Sequence, residues 1–369
     1  MAKAFPKLLA INFGGIGDEI LFLPTLQTIR EAHPDWHITL LVEPRSKSVK
    51  EITNVFDDVV TFDIKKKPLL SSDLVDLVGI LKGGGYDLVL SSGSSPLVSA
   101  LLFLSGIPER VGYHSGILAK VLLTKPVRLN RNQYAANMYH DLVQGLGLSS
   151  KSVIPALMVP QTNLKAMKQF VSSALAKAGR KKAATVLIHP GTSLLALQKG
   201  IIKTWAPDQW AALIERLTTQ EDIQVILAGG PDDTETVNQI QKELSEKNLA
   251  SKVISAAGQT KSLADLAALI QLCDLLVCVD SAPMHVGVGL SKPLVSLFGP
   301  TDHKLLVPQD KAFKALSSKS YVRQNQNSAA SSQQKGGLGV QLPPDIVFQS
   351  VLDQLRLTSN QVRYQESPG

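Results

Sequence analysis

The sequence has two cysteines, few aromatic residues and no apolar run long enough to span a bilayer, and each shortage removes a class of protein. Cys273 and Cys278 both fall in "CDLLVCVD", which reads as a strand, where five residues cover roughly 16 Å. A disulfide needs Cα atoms within about 7 Å, so the two do not bridge inside that strand. With no histidine beside them they also make a poor zinc site, and they read as buried, inert thiols. Aromatic residues are 5% of the 369-residue chain and no recognition motif for nucleic acid occurs, so nucleic acid is not expected as a partner. The stretch "LVSALLFLSGI" is too short for a membrane span and reads as a buried helix. "MAKAFPK" passes straight into a strand without room for a signal peptide, so cytoplasmic residence is expected. No Asp-x-Asp pair occurs. No obvious carboxylate pair is therefore available to bridge Mg²⁺ to a diphosphate, and neither metal nor cofactor is expected.

What the sequence does have is positive charge in one place. Of the formal +7, residues 1–160 carry 16 Lys/Arg against 14 Asp/Glu, and residues 161–210 carry 8 against 1. The remainder carries 14 against 16. The excess lies around "KAGRKK" and "LQKGIIKTW". Arg180, Lys181 and Lys182 read as a solvated face, and an anionic substrate or membrane surface is the partner class that suits the rest. Lys65, Lys66 and Lys67 read as a solvated turn, with a basic rim facing an acceptor as the alternative.

Short β-type runs alternate with helical periodicity from end to end, the signature of parallel α/β layers. Strands are expected at "LLAINF", "HITLLV", "DVVTF", "DLVLSS" and "RVGY", with helices over 17–32, 71–83 and 134–147. The proline-punctuated "KSVIPALMVPQTN" reads as a linker. The alternation then restarts with "ATVLIHPG", "IQVILAGG", "DLLVCVD" and "PLVSLFG". Residues 325–341, rich in Ser and Gln, read as a mobile loop, and "PPDIVFQSVLDQL" as a final helix opened by proline. The expected architecture is two Rossmann-like domains facing across a cleft. Their bounds are 1–160 and 161–345, with a terminal helix and tail over 346–369.

Ligands of open α/β sheets bind beyond the carboxyl ends of the strands. In the second half that rule selects "HPGTS", "GGPDD", "GQTKS" and "DSAPMH". Asp280 ends an apolar strand, Ser281 is placed to cap the next helix, and His285 falls one turn into it. A hydroxyl-capped helix N-terminus suits a diphosphate; the plain alternative is a simple cap with an interior histidine. In the first half the loop "NFGGIGDEILFLP" has the glycines of a phosphate cradle but carries Asp18 and Glu19, which would repel phosphate. Asp18 is then either a helix cap or a carboxylate held at the sheet edge for proton transfer. His140 reads as packed on its helix, and Trp205 as an anchor for the loop before it.

Four elements in order resemble glycosyltransferase family nine, the lipopolysaccharide heptosyltransferases. "GGIGDEILFLP" is similar to the family's Gly-Asp-x-x-x-x-x-Pro opening, and "GIPERVGY" to its Arg-x-Gly segment. "HPGTS" followed by "KTWAPDQWAALIERL" resembles its donor loop. "DSAPMH", then a Pro-led strand ending in Phe-Gly-x-Thr, resembles its ADP-binding signature. The resemblance implies a GT-B fold and inverting, metal-independent sugar transfer, usually of heptose from ADP-heptose to a lipopolysaccharide core. Carried over by position, it makes Asp18 the catalytic base and Lys203 the contact to the diphosphate. It lines the donor pocket with Thr192, Ser193, Asp280, Ser281, Ala282 and His285, and puts Gly17 and Arg110 against the acceptor. The partners it implies are a nucleotide-sugar donor and a glycolipid acceptor, met by peripheral contact at the inner membrane surface. Three features depart from the family pattern: Ala282 replaces a usual Gly, "LLALQKGII" lengthens the donor loop, and a usual cysteine-bearing segment near the C-terminus is replaced by the Ser/Gln-rich stretch. Two rival readings are a non-catalytic nucleotide-sugar binding protein of the same fold and a dinucleotide-dependent oxidoreductase. The latter ranks last, since "GGIG" lacks the G-x-G-x-x-G spacing.

Overall fold

A computed structural model describes residues 6–177, 184–198, 200–221, 223–325 and 339–365. The basic run 180–182 and most of the Ser/Gln-rich stretch lie outside the described residues. The chain divides into two compact units, Met1–Ala156 and Leu157–Gly369. The division falls inside the proline-punctuated segment read as a linker, a few residues before the 160/161 boundary.

The first unit contains strands β1 (Lys7–Ile11), β2 (His37–Val42), β3 (Asp58–Thr61), β4 (Leu88–Ser91), β5 (Glu109–Tyr113) and β6 (Lys125–Val127). They form one parallel sheet in the order β3-β2-β1-β4-β5-β6. The second unit repeats the plan with β7 (Ala184–His189), β8 (Ile223–Leu227), β9 (Val253–Ser255), β10 (Leu275–Val279), β11 (Leu294–Phe298) and β12 (Phe313–Ser317). Their order is β12-β11-β10-β7-β8-β9, again all parallel. Counted from its own first strand, each sheet has the same order, that of a doubly wound dinucleotide-binding fold. Each unit is Rossmann-like.

Central strands of such sheets are covered on both faces and read as continuous apolar runs; β10, "LLVCV", is wholly buried. In the first sheet Leu9, Ile11, Leu41 and Val89 meet Leu77, Leu81, Leu102, Ala119 and Leu123 in one cluster. Those partners come from helices Ser71–Gly83, Pro96–Leu104 and Ile117–Leu122 and from the residue that ends the last of them. Helices Ile16–Ala32 and Ala135–His140 pack together, with Leu21 against Tyr134 and Ala136. In the second sheet Val186, Ile188, Val225, Val277 and Val295 pack with helices Pro207–Thr219, Thr234–Glu246 and Pro344–Gln365. The terminal helix therefore belongs to the second unit. Trp205 and Trp210 stack edge to face with centroids 4.9 Å apart, and Trp205 Nε1 donates to the Leu342 carbonyl at 3.0 Å. Trp205 anchors its loop, as its sequence context predicts.

Three expectations need correction. Cys273 is not in a strand but ends helix Leu263–Leu272, while Cys278 lies within β10. Both are free and buried, and burial pushes the Cys273 thiol up to about 12. Helix Pro96–Leu104 is only half covered: Ser99 and Leu102 are buried while Leu97, Phe103 and Leu104 face outward. Strands β6, β9 and β12 were not expected; the first two are three residues long, and β12 is a partly exposed edge.

Leu9 is fully buried on β1, at the centre of the first sheet. Leu9→Ala should cost about 2–5 kcal/mol, seen in urea as a lower unfolding midpoint with an unchanged slope.

Candidate functional site

Strand order reverses between β1 and β4 in the first sheet and between β7 and β10 in the second. At such a switch point neighbouring connections leave on opposite faces, which opens a crevice at the carboxyl edge. In the first unit the glycine loop occupies that position. Asn12, buried just past β1, accepts from Ser92 Oγ at 2.6 Å and donates through Nδ2 to the Asp18 carbonyl at 3.3 Å. Ser46 Oγ donates to the Gly14 carbonyl at 3.1 Å. A Cβ on Gly14 would lie 2.2 Å from Asp18 Cβ, so only glycine lets the loop pass this close. Gly15 caps helix Ile16–Ala32 and its amide donates to Asp18 Oδ2 at 2.9 Å. Tyr139 Oη donates to Asp18 Oδ1 at 3.4 Å. Burial first, then the Asp18 charge, pushes the Tyr139 phenol well above its usual range, so it stays a donor. Asp18, third residue of the helix, thus satisfies the cap residue's amide and is also an exposed carboxylate held at the sheet edge. Gly17, in the same first turn, is half-buried.

Glu19 behaves oppositely. It is fully buried, and among the described residues neither carboxyl oxygen has a hydrogen-bond partner of good geometry. Burial pushes its carboxyl well above the usual range, the Asp18 charge adds to this, and the nearby Asn12 amide and Gly14 backbone only partly oppose it. A neutral acid at Glu19 adds no charge beside Asp18.

At the second switch point, Lys203 Nζ and Asp280 Oδ2 form an ion pair at 2.7 Å, and Thr301 Oγ1 donates to the same oxygen at 2.7 Å. Asp280 is buried and Lys203 partly exposed. One carboxylate thereby joins the loop after β7, the end of β10 and the loop after β11. Ser281 holds the N-cap position of helix Ala282–Gly289 with extended backbone, but it does not cap through its side chain. Its hydroxyl turns back to the Val279 carbonyl at 3.3 Å, which corrects the capping expectation and leaves that helix start without a side-chain cap. Ala282 opens the helix and His285 is buried one turn in. Thr192 is buried, and Ser193 is exposed, its Oγ accepting from the Ala196 amide at 3.4 Å. The lengthened loop after β7 contains a short helix, Leu194–Gln198, and a left-handed Gly200. Behind it His189 Nε2 lies 3.7 Å from Asp233 Oδ2, both buried. Burial holds the His189 imidazole below its usual range, hence neutral. A Cβ on Gly191 would fall 1.7 Å from Asp233 Oδ1.

Arg110 does not join either group. Its guanidinium donates to the carbonyls of Leu122 at 2.9 Å, Ile107 at 2.6 Å and Pro108 at 3.1 Å, and lies over the Phe103 ring. It fastens the turns around β5, and the acceptor contact that the resemblance implies for it stays a proposal. His140 is buried between Thr28 and Ser150, packed as its helix suggests. Lys65 pairs with Glu43 and Lys66 with Asp73. Tyr139, Asn12 and Ser92 were not foreseen. Thr301 was visible only as the threonine of Phe-Gly-x-Thr. Among the described residues no three His, Cys, Asp or Glu side chains are grouped as a metal site would need.

Comparison with known proteins identifies the family. Residues 75–335 match the model of glycosyltransferase family 9 (heptosyltransferase). Lipopolysaccharide heptosyltransferase 3 of Escherichia coli is 25% identical over 298 residues, 78% of this chain and 82% of that protein. A chloroplast protein of Arabidopsis thaliana, photosynthetic NDH subunit of subcomplex B 1, is 24% identical over 321 residues, 80% of this chain and 65% of its own. The crystal structure of a family 9 glycosyl transferase from Veillonella parvula superposes with a TM-score of 0.74 at 23% identity, covering 96% of this chain and 98% of that one. The chain belongs to glycosyltransferase family 9, and its fold is of the GT-B class.

The buried acid beside Asp18 has a measurable consequence. Native Glu19 keeps its proton over a pH range in which the unfolded chain has released it, so stability falls as pH rises above the ordinary glutamate range. Glu19→Gln should remove that fall. The variant should melt above the parent at neutral pH and together with it below the ordinary glutamate range. A gap independent of pH would contradict a neutral Glu19.

Proposed function

We propose that this protein is an inverting, metal-independent glycosyltransferase that moves a heptose from ADP-heptose to the core of a lipopolysaccharide or related surface glycolipid. Family membership supports the transferase class. The observation that carries the mechanism is the exposed Asp18 carboxylate, held at the switch point by the Gly15 amide and the Tyr139 hydroxyl. Asp18 takes the proton of an acceptor hydroxyl while that oxygen forms a bond to the anomeric carbon of the donor sugar. The bond from that carbon to the diphosphate oxygen breaks on the opposite side, so the anomeric configuration inverts. The diphosphate leaves with added negative charge. Lys203 and the uncapped start of helix Ala282–Gly289 are the donors suited to receive it. For this Lys203 exchanges its bond to Asp280 for one to the leaving group, and Thr301 keeps Asp280 hydrogen-bonded meanwhile. Thr192, Ser193, Ala282 and His285 line the same edge as donor contacts, and Gly17 lies at the acceptor side of Asp18.

A second reading, a nucleotide-sugar binding protein of the same fold without turnover, draws support from the chloroplast relative, whose name is not that of a transferase. Asp18→Asn separates the two. Asparagine still offers a side-chain oxygen to the Gly15 amide but does not accept the proton. The variant should melt and bind ADP like the parent while release of ADP from the donor in the presence of acceptor falls by about 10²–10⁴-fold. A parent without release, or a variant with undiminished release, would end the case for Asp18 as base.

Lys203→Ala should lower turnover at saturating donor by roughly tenfold to more than a hundredfold, the range for a charge-assisted hydrogen bond of about 1.5–3 kcal/mol. It also strands the buried Asp280 and should lower the melting temperature. The double variant Lys203→Ala, Asp280→Asn should recover stability but not turnover. Recovery of both would assign the lysine a structural role only.

A further inference from the structure

Helix Pro96–Leu104 has no charged residue, yet Leu97 is 80% exposed and Phe103 and Leu104 are more than half exposed. Helix Ile117–Leu122 packs beside it and presents Ile117 at 85%, Val121 at 73% and Leu118 at 54%. Their inward residues Leu102 and Ala119 belong to one cluster with Leu77 and Leu81 of helix Ser71–Gly83. All three helices thus cover the same face of the first sheet. The third adds exposed Leu74 and Val75. Single exposed apolar residues are ordinary, but a contiguous set on neighbouring helices marks an interaction surface.

The charges beside this surface narrow what covers it. Residues 94–131 hold five Lys/Arg and one acidic residue, Glu109. Arg110 is spent on backbone carbonyls, which leaves Lys120, Lys125, Arg128 and Arg131, all exposed. Arg131 reaches Ser94 Oγ at 3.0 Å, which ties the loop after β6 to the start of helix Pro96–Leu104. On helix Ser71–Gly83, Asp73 is engaged by Lys66. An apolar centre with a basic fringe complements an anionic lipid surface, with aliphatic side chains in the headgroup–acyl boundary and cations at the phosphates. A second copy would bring the same basic fringe against itself. No helix among the described residues is long and apolar enough to cross a membrane, so the contact is made lying on the surface.

Topology also relates that surface to the edge of the sheet. Helix Pro96–Leu104 starts from the carboxyl end of β4 and helix Ile117–Leu122 from that of β5, the edge that carries Asp18. We infer that helices Pro96–Leu104 and Ile117–Leu122 form a docking surface for an anionic lipid bilayer, which lays this face of the first unit, with the Asp18 edge along one side of it, on the membrane. The inference stands on exposure, charge and topology and does not depend on which sugar is transferred.

The full chain should co-sediment with vesicles of phosphatidylcholine and phosphatidylglycerol about tenfold or more better than with phosphatidylcholine alone, and added salt should weaken the binding. Leu97→Glu combined with Ile117→Glu changes only exposed positions, so it should melt like the parent and lose about tenfold or more of the vesicle binding. If that variant melts early, Leu104→Glu with Val121→Glu tests the same face. No sedimentation with either vesicle would overturn the inference, as would full binding by a folded charge variant. A parent dimer in size-exclusion with light scattering that these variants convert to monomer would assign the face to self-association instead.

Discussion

Parallel pairing governs this molecule. When every strand of a sheet runs the same way, all the carboxyl ends share one edge, and each crossover must return through a helix on one face or the other. Reversing the winding once, between β1 and β4 or between β7 and β10, is what parts the connections and makes room for a ligand. The placement of Asp18, Lys203 and Asp280 follows. None needs a left-handed backbone of its own: Asp280 follows β10 directly, Asp18 lies in the first turn of the helix after β1, and Lys203 lies in the loop after β7. Gly14 and Gly191 then allow the chain to pass close to Asp18 and Asp233 where any side chain would collide.

The two edges hold their polar groups by different means. Around Asp18 the partners are neutral: a backbone amide, a phenol kept protonated, and a buried acid at Glu19 that burial keeps uncharged. Around Asp280 the arrangement is ionic, with one buried carboxylate oxygen shared between an ammonium and a hydroxyl. A buried ion pair contributes little net stability but is costly to break on one side only. The lysine is therefore released readily only toward another negative charge. That condition suits a cation whose second partner is a departing diphosphate.

Much of this was legible in the sequence because the signals were long or repeated. Apolar runs such as "LLVCV" identify the central strands, and glycine or Asp-Ser after them identifies the edge. Strands β6 and β9 left too little pattern at three residues each. The helix at Pro96–Leu104 misled because an uncharged apolar segment looks the same whether a core or some other apolar phase covers it. Contacts between distant positions were invisible in kind: nothing in "KTW" announces Asp280, and nothing in "NMYHD" announces that Tyr139 reaches Asp18. Arg110 is a further case: its motif suggests a ligand, and what the motif hides is that its guanidinium fastens three carbonyls of its own unit.

Asp18 both secures the start of a helix from its third position and stands at the edge where the chemistry is proposed. Selection for folding and selection for reactivity therefore bear on one residue. A lineage that abandoned transfer would still be held to a good cap at that position, so an aspartate there is weak testimony that a relative is active. Asparagine is the informative replacement, because it satisfies the fold and abandons the proton. Drift at this one codon would record the loss of activity before any change in architecture did.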